Sequence, residues 1–468
     1  MKELLKKIVV ITIVAVLSVG LFTGCKKKKK GQGVIGTPEG KIELVVAVSG
    51  LDVAEGELMR KWKVAYEAKN PQVQINIKNF TSDYTQTMLT YVQSPTQMPD
   101  IMWTTGEKHS PWSSEGVFVN LKTIDPSLDV SDFYDEIVKA THINSQDNGI
   151  WFMPRDYNKC VLFINKVMFK AAGFTDEEIE GLKDGWDYEK FLETCERLRV
   201  AMKNNVNPSL GLRPNSVPVE ARMDFNASYC SFVKHFGGEF VEGDKVNLLS
   251  SRNLNAYGEI FELIEKGYIA DSAKKSSATF NTLSAAMKID VRPGLPTTPT
   301  TGNYDIDFLP LPLDYVGVGC SGYAITTIAQ QRTSASNYNK GQKTNDYYAY
   351  EFLKFIVSEE GQRIGAETGS IIPVRESMAG DSSWLSYKSA SLNHAAFISA
   401  PENDFSLNIF QDFSANDASL ILDSLSGAMA QVIIASNYPA GYKANGYSKL
   451  KSAIQPYQNT VSSLRAIY

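Results

Sequence analysis

Lys41-Ile-Glu-Leu-Val-Val-Ala-Val-Ser49 opens the part of the chain whose pattern decides the fold. Ile42, Leu44, Val46 and Val48 alternate with the residues between them, as in a strand with one buried face. Leu58, Trp62, Ala65 and Tyr66 follow at i, i+4, i+7 and i+8, the buried stripe of an amphipathic helix. Asn70-Pro71 ends that helix, because the residue before proline is pushed out of the helical region. Val73, Ile75 and Ile77 alternate again, Tyr84 to Gln93 returns to helical spacing, and Pro99-Asp100-Ile101-Met102-Trp103 reads as a third strand. Strand, helix, strand, helix, strand at these intervals predicts parallel βαβ units.

Upstream, Lys2, Lys6 and Lys7 precede an uncharged run from Ile8 to Phe22, and Leu21-Phe22-Thr23-Gly24-Cys25 closes it with small residues before a cysteine. Basic, apolar and small-residue segments in that order make an export signal. The run is shorter than the roughly 18–20 apolar residues of a spanning helix. Its ending resembles a bacterial lipoprotein signal (residues 1–24). That resemblance implies that Cys25 is lipidated, becomes the mature N-terminus, and anchors an extracytoplasmic chain to the bacterial cell membrane. Lys26 to Lys30 cannot fold alone and reads, within residues 25–40, as a solvated tether. Each lysine near an anionic membrane surface adds about 1 kcal/mol of attraction.

The chain has a net charge of −5, and loss of residues 1–24, with three Lys and one Glu, makes it −7. Beyond the lysine run no basic patch is visible, so no nucleic-acid partner is expected. About 430 residues past the tether suffice for two cores. Cys160, Cys195, Cys230 and Cys320 are widely spaced and read as buried free thiols. His109, His142, His235 and His394 show no HExxH-like spacing, so neither a metal nor a cofactor is expected.

Further along, Cys160-Val-Leu-Phe-Ile164 reads as a short apolar strand. Asp187 reads as a helix N-cap, with Trp186 and Phe191 placed as a hydrophobic staple. Ala349, Phe352, Leu353, Ile356 and Ile364 predict one helix ended near Gly369, and residues 292–304 an exposed loop. Gly317 to Gly322 spells GxGxxG, but the Tyr323-Ala-Ile-Thr-Thr that follows favours a strand over a dinucleotide-binding helix. Tyr347-Tyr348, a conceivable ferric-iron pair, sits at helical spacing beside Phe352 and reads as packing.

Several segments in order resemble bacterial extracellular solute-binding protein family 1, the sugar-binding lipoproteins of ABC transporters. They are Asn70-Pro71-x-Val73, Pro99-Asp100-Ile101-x-Trp103, Glu115-Gly116 to Leu121, Gly149 to Pro154, Phe163-Ile-Asn165-Lys166 with Ala171-Ala-Gly173, and Gly185-Trp186-Asp187. His235 to Gly238, Phe308 to Pro312, Gly317 to Gly322, Phe352 to Ile356 with Glu360-Gly361, and Ile372-Pro373-Val374 complete the series. The resemblance covers about residues 40 to 375, and the tail after 380 matches loosely.

It implies an α/β, two-lobed periplasmic-binding-protein-like (type II) fold with a ligand cleft between lobes: residues 41–154 and 322–372 in one, 155–321 and 373–468 in the other. Hinge crossings are expected near Pro154-Tyr157, Gly319-Gly322 and Ile372-Arg375. Ligands of open α/β sheets lie beyond the carboxyl ends of strands. The residues after the strands, Ser49, Gly50, Trp103, Arg155, Asp156 and Tyr157, are therefore expected to hold ligand; Tyr84, Arg292, Gly322 and Arg375 are expected with them, and Trp112 and Trp151 as further stacking platforms. Arg155-Asp156 equally reads as a lobe-to-lobe salt bridge. Val291-Arg292 stands where the family often carries a tryptophan, and an arginine there also suits an anionic solute. The expected function is solute binding, first of a carbohydrate, by a monomer that hands its ligand to ABC permease subunits, with no catalysis. A receptor for a peptide, polyamine or anionic solute, and a secreted hydrolase, stay open. Neither GxSxG nor a Walker-type GxxxxGK[ST] is present.

Overall fold

The computed structural model describes residues 41–49, 53–270, 278–333, 343–433 and 447–467. The expectations for Cys25, the lysine tether and Gly50 lie outside these residues.

The opening stretch forms β1 (Ile42–Ser49), α1 (Val53–Lys69), β2 (Val73–Phe80), α2 (Tyr84–Gln93) and β3 (Ile101–Thr105), as its periodicity predicts. β1 lies between β2 and β3 and is parallel to both, pairing Ile42 with Val73 and Val46 with Ile101. Leu58, Met59, Trp62 and Tyr66 bury the apolar stripe of α1. The Trp62 Nε1 donates to the Gly361 carbonyl at 2.7 Å, so burial leaves no orphaned donor. Each such side chain contributes about 1.5–3 kcal/mol. Asp83 caps α2 by accepting from the amides of Thr85 and Gln86. The turn after β3 leads into α3 (Ser110–Ser114), and β4 (Met153–Pro154) ends this first stretch.

β5 (Asn158–Lys159) and β6 (Val161–Asn165) follow, and all five residues of β6 are buried, as a strand covered on both faces requires. Asp187 caps α4 (Tyr188–Lys203), and Trp186 meets Phe191 edge-on at 6.3 Å, so the staple forms. Next come β7 (Val217–Glu220), α5 (Asn226–His235), the hairpin β8 (Val241–Glu242) and β9 (Lys245–Val246), and α6 (Ser251–Glu265). Then follow β10 (Ala285–Asp290), β11 (Ile306–Pro310), β12 (Val316–Gly319) and β13 (Ser321–Ile325). The Gly317–Gly322 stretch is thus strand on both sides of Cys320.

The helix expected over 349–364 is two: α7 (Asn345–Ile356) and α8 (Glu359–Ala366). Ser358 caps the second through the Gly361 amide, and a Cβ on Gly361 would meet the Phe355 carbonyl at 2.0 Å. Gly369 stands at φ 78 just beyond, as its place after the helix suggests. β14 (Asp404–Ser406), α9 (Ala415–Val432) and α10 (Ser448–Val461) complete the described chain. The expected exposed loop at 292–304 is irregular, but Arg292, Leu295 and Thr298 within it are buried.

Three main sheets result. The first has order β2-β1-β3-β13-β4, the second β11-β6-β10-β7, and a small third β14-β12-β5. One apolar core fills the first lobe and runs under one face of β6 through Val161 and Phe163. The other takes Leu162 and Ile164 from the opposite face of β6 and packs them among helices, including α9 and α10. The chain leaves the first sheet after β4, touches the small sheet at β5, and returns from β12 to β13 across Cys320. The stretch 372–375 stays with the first lobe: the Val374 carbonyl accepts from the Tyr134 amide, and Arg375 bridges Phe133. The chain joins the small sheet only at β14. Cys160, Cys195, Cys230 and Cys320 are buried free thiols, and burial raises the pKa of each.

Inside the small sheet Lys159 pairs with Asp404 at 2.6 Å, both side chains almost fully buried. The Tyr157 hydroxyl donates to the same carboxylate and its ring packs 4.5 Å from that of Tyr134. Burial lifts the Asp404 pKa from 3.8 to about 6 and lowers that of Lys159, so the pairing does not fully offset desolvation.

Two predictions follow from this packing. A Cβ on Gly322 would meet the Met153 carbonyl oxygen at 2.2 Å, so Gly322→Ala should destabilise the chain by about 1–3 kcal/mol in urea unfolding. Unchanged stability would contradict the close approach of β13 to β4. Between about pH 4 and 6 folded Asp404 holds a proton that the unfolded chain has released, so this group costs stability as pH rises. Asp404→Asn should therefore gain on wild type between pH 4 and 7, and a pH-independent gap would refute the shift.

Candidate functional site

Two groups of polar and aromatic residues lie where parallel strands end. In the first lobe, Trp103 and Thr105 occupy the last turn of β3 on one face, with Tyr323 and Ser321 opposite them on β13. The Trp103 ring sits 6.2 Å from Phe80 and 6.0 Å from Tyr84. Tyr84 is buried and donates its hydroxyl to Thr104 Oγ1 at 2.9 Å. Lys108 is exposed and stands 5.6 Å from the Tyr84 ring and 5.8 Å from the Trp103 ring. The turn holding it is fixed by buried His109, whose ring bridges Ser113 Oγ and the Ala140 carbonyl. Burial lowers the His109 pKa to about 3, so the ring stays neutral. The Trp103 Nε1, Thr105 Oγ and Ser110 Oγ atoms are buried without a hydrogen-bond partner. A buried indole N–H can only donate, so this end of β3 is left wanting an acceptor.

Beside it a buried ion network closes the first lobe. Arg155 donates to Glu55 at 2.5 Å and to Asp156, while the Tyr323 hydroxyl also donates to Glu55. Asp156 accepts from the Ser321 amide at 2.8 Å, and burial raises its pKa against the pull of Arg155. Arg155 and Asp156 thus do form a salt bridge, with Glu55 as a third member, but it ties elements of the first lobe together and does not run from lobe to lobe.

In the second lobe a cavity of about 320 Å³ is lined by Glu220, Arg222, Thr279, Asn281, Lys288, Asp290 and Thr297. Glu220 ends β7 and Asp290 ends β10, and these strands are parallel, so the cavity lies at their carboxyl ends. Asp290 takes Arg222 at 2.6 Å and Lys288 at 3.0 Å. Glu220 accepts from the Phe280 amide at 2.8 Å.

The structure brings Tyr84 and Trp103 together, and buried Ser49 ends the neighbouring β1 opposite Phe80. Besides Arg155 and Asp156, four expected ligand residues are engaged within the protein. Arg292 is fully buried, and its nitrogens are taken by the carbonyls of Gly369 and Trp384 and by His394 Nδ1. It pins the second sheet to the following segment, so it offers an anionic solute nothing. Tyr157 is spent on Asp404, Gly322 on the approach to β4, and Arg375 on the Val357 carbonyl and Asp132. Of the other platforms, Trp151 donates to Asp147 at 2.8 Å and Trp112 packs against the first core.

Sequence reasoning missed Lys108, Glu220, Arg222, Lys288 and Asp290. A signal was present for the last two: Lys288 and Asp290 alternate with Met287 and Ile289, a polar face on an otherwise apolar strand. Glu220 and Arg222 likewise continue the alternation of Val217 and Val219.

The model of the bacterial extracellular solute-binding protein family matches residues 61–290. No curated protein matches the chain. Among solved structures, an ABC substrate-binding protein of Listeria monocytogenes in complex with cycloalternan is similar at TM-score 0.67 and 15% identity, over 90% of this chain and 98% of that one. The GacH receptor of Streptomyces glaucescens, studied unliganded and with acarbose, gives 0.65 and 16%, over 90% and 98%. UgpB of Mycobacterium tuberculosis in complex with glycerophosphocholine gives 0.65 and 14%, over 90% and 99%. Residues 61–290 thus match the bacterial extracellular solute-binding proteins, and the chain has the two-lobed fold of periplasmic binding proteins.

Proposed function

We propose that the chain is the receptor of an ABC importer and binds a neutral carbohydrate between its lobes. The observation that carries this reading is the second-lobe cavity, walled by paired cations and carboxylates at two strand ends. Such a wall suits hydroxyls, which donate and accept at once, and its volume fits the size range of small-molecule pockets. Trp103 and Tyr84 supply the aromatic face that a sugar ring's C–H surface needs, and the orphaned Trp103 Nε1 supplies a donor. Cycloalternan and acarbose, bound by two proteins of like fold, point the same way. We assign residues 41–154 with 322–375 to the first lobe and 155–321 with 404–468 to the second. Ligand contact with both lobes would stabilise the closed arrangement for a permease to recognise. The chain would be a monomer anchored through lipidated Cys25, and no reaction is assigned to it.

A second reading, a charged non-sugar solute, rests on Lys108, which has no carboxylate partner among the described residues and stands over two aromatic rings. Glycerophosphocholine, bound by another protein of like fold, fits that reading.

A thermal-shift panel of neutral saccharides, sugar phosphates, peptides and polyamines separates them. A ligand at about 100 times its Kd adds about 2.7 kcal/mol of stability. A neutral saccharide should give the shift, and Trp103→Ala should weaken its binding at least about tenfold, or 1.4 kcal/mol. Shifts with charged solutes alone would overturn the sugar, and saccharide turnover by pure protein would overturn the receptor.

A further inference from the structure

Arg222 stands immediately beyond β7 with φ 47, in the left-handed region that a long side chain enters at a conformational cost. The turn is closed by the Phe225 amide donating to the Arg222 carbonyl at 2.9 Å. The guanidinium carbon lies 4.7 Å from the centre of the Phe225 ring, which fixes the plane of the group. The guanidinium is thus held at the rim of the cavity.

The hydrogen bonds around the cavity show what remains uncommitted. Asp290 is saturated: Oδ1 accepts from Arg222 Nη1 and from the Val291 amide, and Oδ2 accepts from Lys288. Lys288 also donates to Thr298 Oγ1 at 2.7 Å. Glu220 gives one oxygen, Oε2, to the Phe280 amide. Left without a protein partner among the described residues are the Nε and Nη2 donors of Arg222 and the Oε1 acceptor of Glu220. Two carboxylates and two cations share the wall, so its formal charge is zero. An anionic group would find both cations already paired to Asp290 and would meet Glu220 beside them. A neutral hydroxyl pair satisfies what is left, one oxygen accepting from Arg222 and one O–H donating to Glu220.

Resting on the receptor reading above, we infer that Arg222 and Glu220 are the specificity-determining pair of the second-lobe cavity, recognising adjacent hydroxyls of an uncharged sugar or polyol and rejecting acidic counterparts.

The test is calorimetric titration of the full chain, wild type and Glu220→Gln, Arg222→Ala and Arg222→Gly variants. The probes are neutral gluco-, galacto-, manno- and xylo-saccharides of one to four rings, and their uronates. Wild type should bind a neutral member, at least tenfold tighter than its uronate, and each variant should lose at least tenfold. Both Arg222 variants should fold, with Arg222→Gly melting above Arg222→Ala because glycine accepts the positive φ freely. Neutral binding that survives in the variants would overturn the pair while leaving the receptor reading intact. Preference for uronates would overturn the pair as well. Silence of wild type across all probes would sink the carbohydrate reading, and this inference with it.

Discussion

A guanidinium withdrawn from water between two carboxylates sets the geometry on which the rest depends. Arg155 lies where the chain leaves the first sheet, Glu55 in the first turn of α1, and Asp156 against the first residue of β13. Tyr323 closes the ring from β13. Such a cluster adds little net stability, because desolvation consumes most of the Coulombic gain. It penalises any arrangement that leaves one charge unpaired, by about 3–5 kcal/mol. The helix, the crossing and the returning strand are thereby locked in one relation, and strand ends carrying Trp103 and Thr105 are presented beside it.

The small sheet repeats this logic. Lys159 and Asp404 come from strands 245 residues apart in sequence, and burial shifts the pKa of each toward its neutral form. In both clusters desolvation works against the pairing, at Asp156 beside Arg155 and at Asp404 beside Lys159, so each fixes geometry more than it adds stability.

Much of this architecture was legible because it is local. Ile42 to Val48 and Tyr84 to Gln93 carry their periods in single segments, and Asp187 carries its cap and staple within a few residues. The site was only half legible, because its second wall is made by register. Nothing near Glu220 announces that β7 pairs with β10, which sets Glu220 opposite Lys288 and the cavity beyond them. Arg292 misled for the opposite reason: a lone arginine beside a proline reads as an exposed charge until Gly369, Trp384 and His394 are seen to consume its nitrogens. The single helix expected over 349–364 failed at Ser358, where a side-chain cap restarts the helix axis.

The central claim is that two preformed half-sites close on one uncharged solute. Small-angle X-ray scattering of the protein, with and without a saturating neutral saccharide selected by its stabilising effect, tests it directly. The account predicts a smaller radius of gyration on binding, with the saccharide recovered intact. Saturated binding with an unchanged scattering profile would contradict closure, and a cleaved saccharide would contradict a receptor.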